Sequence, residues 1–233
     1  MADVTVLQNV LGVYFNNILL LEQSVIHRSY INENTGGISG SNERLEFLGD
    51  AVLSFIIAER LYQEYPELTE GEMSKARSGI VCRGTLARVA EIVRLGDFLY
   101  LGKGEEASAG RKKPANLEGA MEAVIGAIFL DSGLDITREF IFHYFHKEIE
   151  RVLIKGLELD FKSRLQETLQ SNRQLTPTYR LVEVTGPDHD KNFTVEVLAD
   201  DSSIGRGSGK SKKSAENEAA RLALEHLNSH FTQ

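Results

Sequence analysis

A single cysteine, Cys82, stands among the 233 residues. No internal disulfide can form, so the fold does not depend on oxidation and suits a reducing compartment. The first 20 residues contain no Lys or Arg, so the basic start expected of a secretory signal is absent. Long apolar runs are missing too. Stretches such as Ala51–Ala58 fall far short of the roughly 18–20 residues a membrane span needs. Repeats and low-complexity tracts are likewise absent. These absences lead to the expectation of a cytoplasmic chain with no membrane contact and no disulfide partner.

Apolar residues make up 42% of the chain, enough to bury a core. The length accommodates one large domain, or one medium and one small. Against 26 Lys and Arg stand 34 Asp and Glu, a formal net charge of −8. Taken alone, that balance argues against a nucleic-acid partner, because phosphate repels it.

The pattern changes near Lys155. Up to that point the net charge is −6 and apolar residues recur at helical spacing, as in Leu86-Val89-Ala90-Val93 and Phe140-Ile141-Tyr144-Phe145. After it the net charge is −2 and the order becomes helix, strands, helix. Phe161, Leu165 and Leu169 mark a helical stripe, Tyr179–Thr185 and Asn192–Ala199 read as strands, and a third short strand fits around Ile204. Ala215, Ala219, Leu222, Ala223 and Leu227 then form a last amphipathic helix. The expected architecture is an all-α domain followed by a small α+β (α-β-β-β-α) module. The boundaries are residues 1–153 for the first domain, 154–159 for a linker and 160–230 for the second.

The densest chemistry is Asn42-Glu43-Arg44-Leu45-Glu46-Phe47-Leu48-Gly49-Asp50. On a helix, Glu43, Glu46 and Asp50 fall within an arc of about 60°. Like charges on one largely apolar face need a cationic counterpart, and a divalent ion with oxygen ligands is the natural one. The other reading is a solvated acidic stripe with Arg44 or Arg60 as partners. Glu122 is a second carboxylate on an otherwise apolar segment, with Gly119, Ala123, Gly126 and Ala127 allowing close helix packing. Two such helices could gather Glu46, Asp50 and Glu122 around one hard cation.

The first block resembles the signature helix of the ribonuclease III family. His27-Arg28-Ser29, Glu70-Gly71-Glu72-Met73-Ser74 and Leu101-Gly102-Lys103-Gly104-Glu105 extend the resemblance, and Glu122-Ala123 through Leu130-Asp131 is similar to its second acidic motif. The C-terminal module resembles the family's double-stranded RNA-binding domain. The resemblance implies a Mg²⁺-dependent endonuclease of double-stranded RNA, with Mn²⁺ as a substitute, acting on structured precursors such as rRNA and mRNA. Water activated by the metal would cleave the strand, leaving 5′-phosphate and 3′-hydroxyl ends with short 3′ overhangs. Asp50 and Glu122 would be catalytic, and Glu46, Asp50 and Glu122 would hold the metal. Glu43 and Glu70 would shape the cleft or a second cation site. The six histidines, at scattered positions, read as structural or surface groups. The family's homodimer would place Phe47 as a knob in its interface.

One departure stands out. Family members usually carry Asp three residues before the second-motif Glu, and that position here is Gly119. Either Glu118 or a water fills the vacancy, or the chain is a damaged nuclease that binds RNA and cuts it weakly or not at all.

In the C-terminal module, Arg206, Lys210, Lys212 and Lys213 place four cations within eight residues. Ser211 reads as the cap of the last helix, whose free N–H groups and dipole favour phosphate. The other reading is a solvated basic loop. The resemblance assigns Lys210, Ser211, Lys212 and Lys213 to phosphates, and Gln166, Glu167 and His189 to minor grooves of the duplex. Arg111, Lys112 and Lys113 in the first domain form a second candidate RNA contact or a solvated loop.

Overall fold

The computed structural model describes residues 3–34, 40–159, 161–173, 175–187 and 190–230. The chain divides into two compact units, Met1–Val152 and Leu153–Gln233. The order expected from the sequence, helices followed by α-β-β-β-α, is the order found.

The first unit opens with three short helices, α1 (Val4–Leu11), α2 (Ile18–Ser24) and α3 (Arg28–Glu33). Each starts on a side chain that accepts a backbone N–H, namely Asp3, Asn17 and His27. Helix α4 (Glu43–Glu64) carries the first acidic cluster and buries Leu45, Gly49, Val52, Ile56 and Leu61 along one face. Helix α5 (Glu70–Ile80) begins with a capping box between Thr69 and Glu72. Then come α6 (Arg83–Ile92) and the single-turn α7 (Lys103–Ala107).

Helix α8 (Pro114–Leu159) starts on a proline, whose missing N–H has no partner to lose there. It breaks at Gly133, where φ is +79° and ψ −173°, a conformation closed to ordinary L residues. The helix runs on through 154–159.

The crossing of α4 and the first segment of α8 makes the core. A Cβ on Gly49 would sit 1.7 Å from the Glu122 carbonyl oxygen, and one on Gly126 would sit 2.3 Å from that of Leu45. Backbone therefore lies on backbone, and Leu45, Ala123 and Ala127 close around the contact. Leu53, Ile56, Ile57 and Met121 are fully buried, each contributing about 1.5–3 kcal/mol. Beyond the crossing, Asp131 of α8 accepts the backbone N–H groups of Asn16 and Asn17, tying the start of α2 to this helix.

The second unit runs α9 (Phe161–Arg173), β1 (Thr178–Thr185), β2 (Asn192–Ala199), β3 (Ser202–Gly209) and α10 (Lys212–His230). The strands form an antiparallel sheet in the order β1-β2-β3. Val195, Val197 and Ala199 alternate as the buried residues of β2, and Val197 and Ala199 join a core with Leu165, Leu169, Ala219 and Ala223. The third strand is longer than the sequence suggested, because the Gly205–Gly209 run belongs to it. A Cβ on Gly205 or Gly207 would strike the Ala219 backbone at 2.5 and 2.2 Å. Those glycines let α10 lie directly on β3, which a motif read only for its charge does not reveal.

Candidate active site

The helix crossing brings both acidic motifs to one cleft of about 530 Å³. Glu43, Glu46 and Asp50 of α4 face Asn116, Gly119 and Glu122 of α8 across it, and His27, Arg28 and Phe47 stand at its edges. Glu46 is one turn before Gly49 and Asp50 directly follows it, so the contact of Gly49 with the Glu122 carbonyl sets their distance from Glu122.

Electrostatics mark Glu122 as the unusual member. It is 8% exposed, and among the described residues its carboxylate has no hydrogen bond or ion pair. Burial first, then Asp50, Glu118 and Glu46, push its pKa up to about 8. Burial, Glu43 and Glu118 also raise Glu46, against the pull of Arg28. The nearest cation to the cluster's rim, Arg28, is 3.9 Å from Glu43. Arg60 is committed to Glu64 and lies over the Phe142 ring, so it does not neutralise the stripe. Nor does Arg44, which is exposed and unpaired among the described residues.

Such a donor set, all carboxylate oxygen with one member driven toward its neutral form for want of a counter-charge, fits a hard divalent cation. Among the described residues, no three His, Cys, Asp or Glu side chains stand at cation-ligand geometry.

Gly119 faces Glu46. A Cβ there would lie 2.7 Å from Glu46 Oε2, so the Glu46 carboxylate leans into the space beside the glycine. Glu118 does not line the cleft. Its Oε2 accepts Arg83 Nε at 2.6 Å. Glu70 is the first residue of α5, where it accepts the Ser74 hydroxyl, and it too lies outside the cleft lining. Phe47 is 81% exposed.

The basic run after α7 is largely tied down. Arg111 binds Glu106 and the carbonyls of Gly96 and Asp97, and Lys113 binds Glu105 and Ser108. Lys112 alone of the three is exposed and unpaired among the described residues. In the second unit, Gln166 and Glu167 are exposed on α9. Ser211 Oγ accepts the Ser214 N–H, capping α10 as expected. Lys212 and Lys213 are exposed at that helix start, and Lys210 pairs with Asp190 at 2.6 Å. His189 falls outside the described residues.

The cleft lining includes residues to which the sequence assigned no site role, His27 among them. His27, set aside with the other histidines, lines the cleft and caps α3 through its ring. The available signal was its place two residues before Ser29, at a helix start.

Comparison with known proteins agrees with this arrangement. The Ribonuclease-III-like family profile matches residues 17–149, and the double-stranded RNA binding motif matches residues 161–227. Ribonuclease 3 of Dehalococcoides mccartyi is 53% identical over 232 residues, covering 100% of this chain and 98% of that protein. Ribonuclease 3 of Desulforamulus reducens is 46% identical, covering 93% and 88%. A solved nuclease domain of ribonuclease III from Campylobacter jejuni superposes with a TM-score of 0.58 at 34% identity, covering 63% of this chain and 98% of that one. With both acidic motifs in one cleft of the first unit and a double-stranded RNA binding motif matched in the second, the chain belongs to the ribonuclease III family of double-strand-specific endoribonucleases.

Proposed function

We propose that the chain cleaves structured RNA precursors, rRNA and mRNA among them, in a Mg²⁺-dependent reaction for which Mn²⁺ can substitute, in the cytoplasm. The observation that carries the metal reading is Glu122, a buried carboxylate facing Asp50 and Glu46 without a protein cation. Glu46, Asp50 and Glu122 would hold the ion, with Glu43 at the rim. When bound, it lowers the pKa of water and offsets negative charge at the phosphate. Asp50, exposed at the cleft mouth, and Glu122, behind it, would orient the attacking water toward the strand. The products would carry 5′-phosphate and 3′-hydroxyl ends with short 3′ overhangs.

With Glu118 held by Arg83, the space beside Gly119 is left to the Glu46 carboxylate or to water. Glu70 would act from outside this cleft, as a second cation site. The lysines at the start of α10, with Ser211, would hold phosphate, while Gln166 and Glu167 reach a minor groove. His189 would reach the next, and Lys112 is the member of its run best placed to add a contact.

Phe47, with Phe55 at 53% and Tyr62 at 74% exposure, forms an apolar stripe on the outer side of α4. That much exposed aromatic surface favours a second copy of the chain as its cover. The Campylobacter jejuni relative has a region involved in dimer formation in this same nuclease domain. Sedimentation of the full chain as a monomer at micromolar concentration would remove the dimer.

The deciding experiment incubates a labelled RNA duplex with the full chain in Mg²⁺, Mn²⁺ or EDTA. Cuts that appear only with metal are expected. Binding without products in every metal would instead favour a double-stranded RNA-binding protein whose nuclease is disabled at Gly119.

A further inference from the structure

We infer that His27 is a substrate-binding group of the cleft, a neutral imidazole that offers Nε2–H to a phosphate oxygen of the RNA strand. This rests on the nuclease reading above. The ring's Nδ1 is fully engaged from below. It accepts the Ser29 backbone N–H at 3.2 Å and lies 2.8 Å from the Ser29 hydroxyl. That hydroxyl accepts the Gly102 N–H at 2.9 Å, which leaves its own proton for Nδ1. Nδ1 is therefore an acceptor, and a neutral imidazole then carries its proton on Nε2.

The ring is also fixed in place. The His27 backbone N–H donates to the Tyr100 carbonyl, and the neighbouring Ile26 carbonyl accepts the Asn42 N–H just before α4. Gly102 can approach only because it lacks a side chain, since a Cβ would lie 2.6 Å from the Ser29 carbonyl oxygen. Among the described residues Nε2 has no partner. It is the one polar atom of this ring left for the cleft that His27 lines.

Burial holds the ring below the ordinary histidine pKa, helped by Arg28 and Lys113 and opposed by Glu105 and Glu43. Neutrality suits the place. A lysine or arginine here would be drawn onto Glu43, Glu46 or Asp50 and compete with a cation. An uncharged donor can approach phosphate without doing so.

The test has two arms on the full chain. In the first, long-range ¹⁵N–¹H NMR of the histidine rings is recorded in EDTA, without and with an RNA duplex. The expected result is an unprotonated Nδ1 in the free protein and a shifted Nε2–H on adding RNA. A ring protonated on Nδ1, or an Nε2–H that RNA leaves unmoved, overturns the inference.

In the second arm, His27→Asn retains a side-chain oxygen able to cap α3 but does not reach the cleft. We expect an unchanged melting temperature and kcat/KM lower by roughly tenfold to a hundredfold, the range of one hydrogen bond to a charged group. A kcat/KM within twofold of the parent overturns the inference. A variant that melts early has lost the cap as well, and the NMR arm then decides. If the parent chain cuts RNA in no metal, the nuclease reading fails by itself, and the RNA-dependent shift of Nε2–H still decides the role of His27.

Discussion

Gly49→Ala adds one methyl group at the tightest point of the first unit. The new Cβ would lie 1.7 Å from the Glu122 carbonyl oxygen and 2.9 Å from the Gly126 nitrogen. Neither atom belongs to a side chain, so no rotamer change relieves the overlap. Reaching even 3.0 Å requires α4 and α8 to part by at least about 1.3 Å. Overpacking of a core typically costs about 1–3 kcal/mol, and two rigid backbones place this site at or above the upper end. Better helix propensity returns roughly 1 kcal/mol, for a net loss of about 2 kcal/mol or more. Because Glu46 and Asp50 flank Gly49, the same movement draws them away from Glu122, and a displacement near 1 Å can cost about a hundredfold in rate. Urea unfolding followed by circular dichroism measures the first effect, and Mn²⁺ titration by electron paramagnetic resonance measures the second. Gly71→Ala is the control, because its Cβ meets nothing within 4 Å, and a gain of about 0.4–1 kcal/mol is expected. A Gly49→Ala protein within 0.5 kcal/mol of the parent and with unchanged Mn²⁺ affinity would refute the reasoning.

Three more outcomes are expected. The folded-state pKa of Glu122, raised to about 8 from 4.5, means that the metal-free native state holds a proton the unfolded chain has released. Its contribution is complete below pH 4.5 and is lost as pH rises toward 8, up to roughly 5 kcal/mol. Urea midpoints of metal-free protein should therefore fall over that window, and Glu122→Gln should flatten the curve. Gly119→Asp should displace the Glu46 carboxylate, lower metal-free stability by about 1 kcal/mol and tighten Mg²⁺ binding. Calorimetry showing the parent's affinity would place position 119 outside the coordination sphere. Replacing Lys212 and Lys213 together by Ala should reduce the slope of log affinity against log salt by about 2 for any duplex sequence. A slope that does not change would remove both from the phosphate contacts.

The net charge of −8, taken alone, points away from nucleic acid only because a sum hides placement. Four of the 34 acidic residues, Glu43, Glu46, Asp50 and Glu122, line one cleft, while exposed Lys212 and Lys213 sit where the start of α10 already favours phosphate. Local order carries that information, and it was legible. Helical periodicity marked α4 and α9, alternation marked β2, and the glycine and alanine positions of α8 marked close packing. What the sequence determined by itself is the menu of elements, the domain order, the two acidic motifs and the basic helix start. All of these depend on neighbours within a few residues.

Tertiary structure decided everything that depends on distant backbone. The crossing at Gly49 and Gly126 set Glu122 against Asp50 and buried it, raising its pKa. Arg83, 35 residues away, took Glu118 out of the contest for the vacancy at Gly119. Glu105 and Glu106 took Lys113 and Arg111 from the surface run. Ser29 and Gly102, 73 residues apart, turned a scattered histidine into a ring held in one tautomer. Charge and spacing are local properties of a chain, but the partner that each charge finds depends on which backbones can approach, and only the fold brings those together.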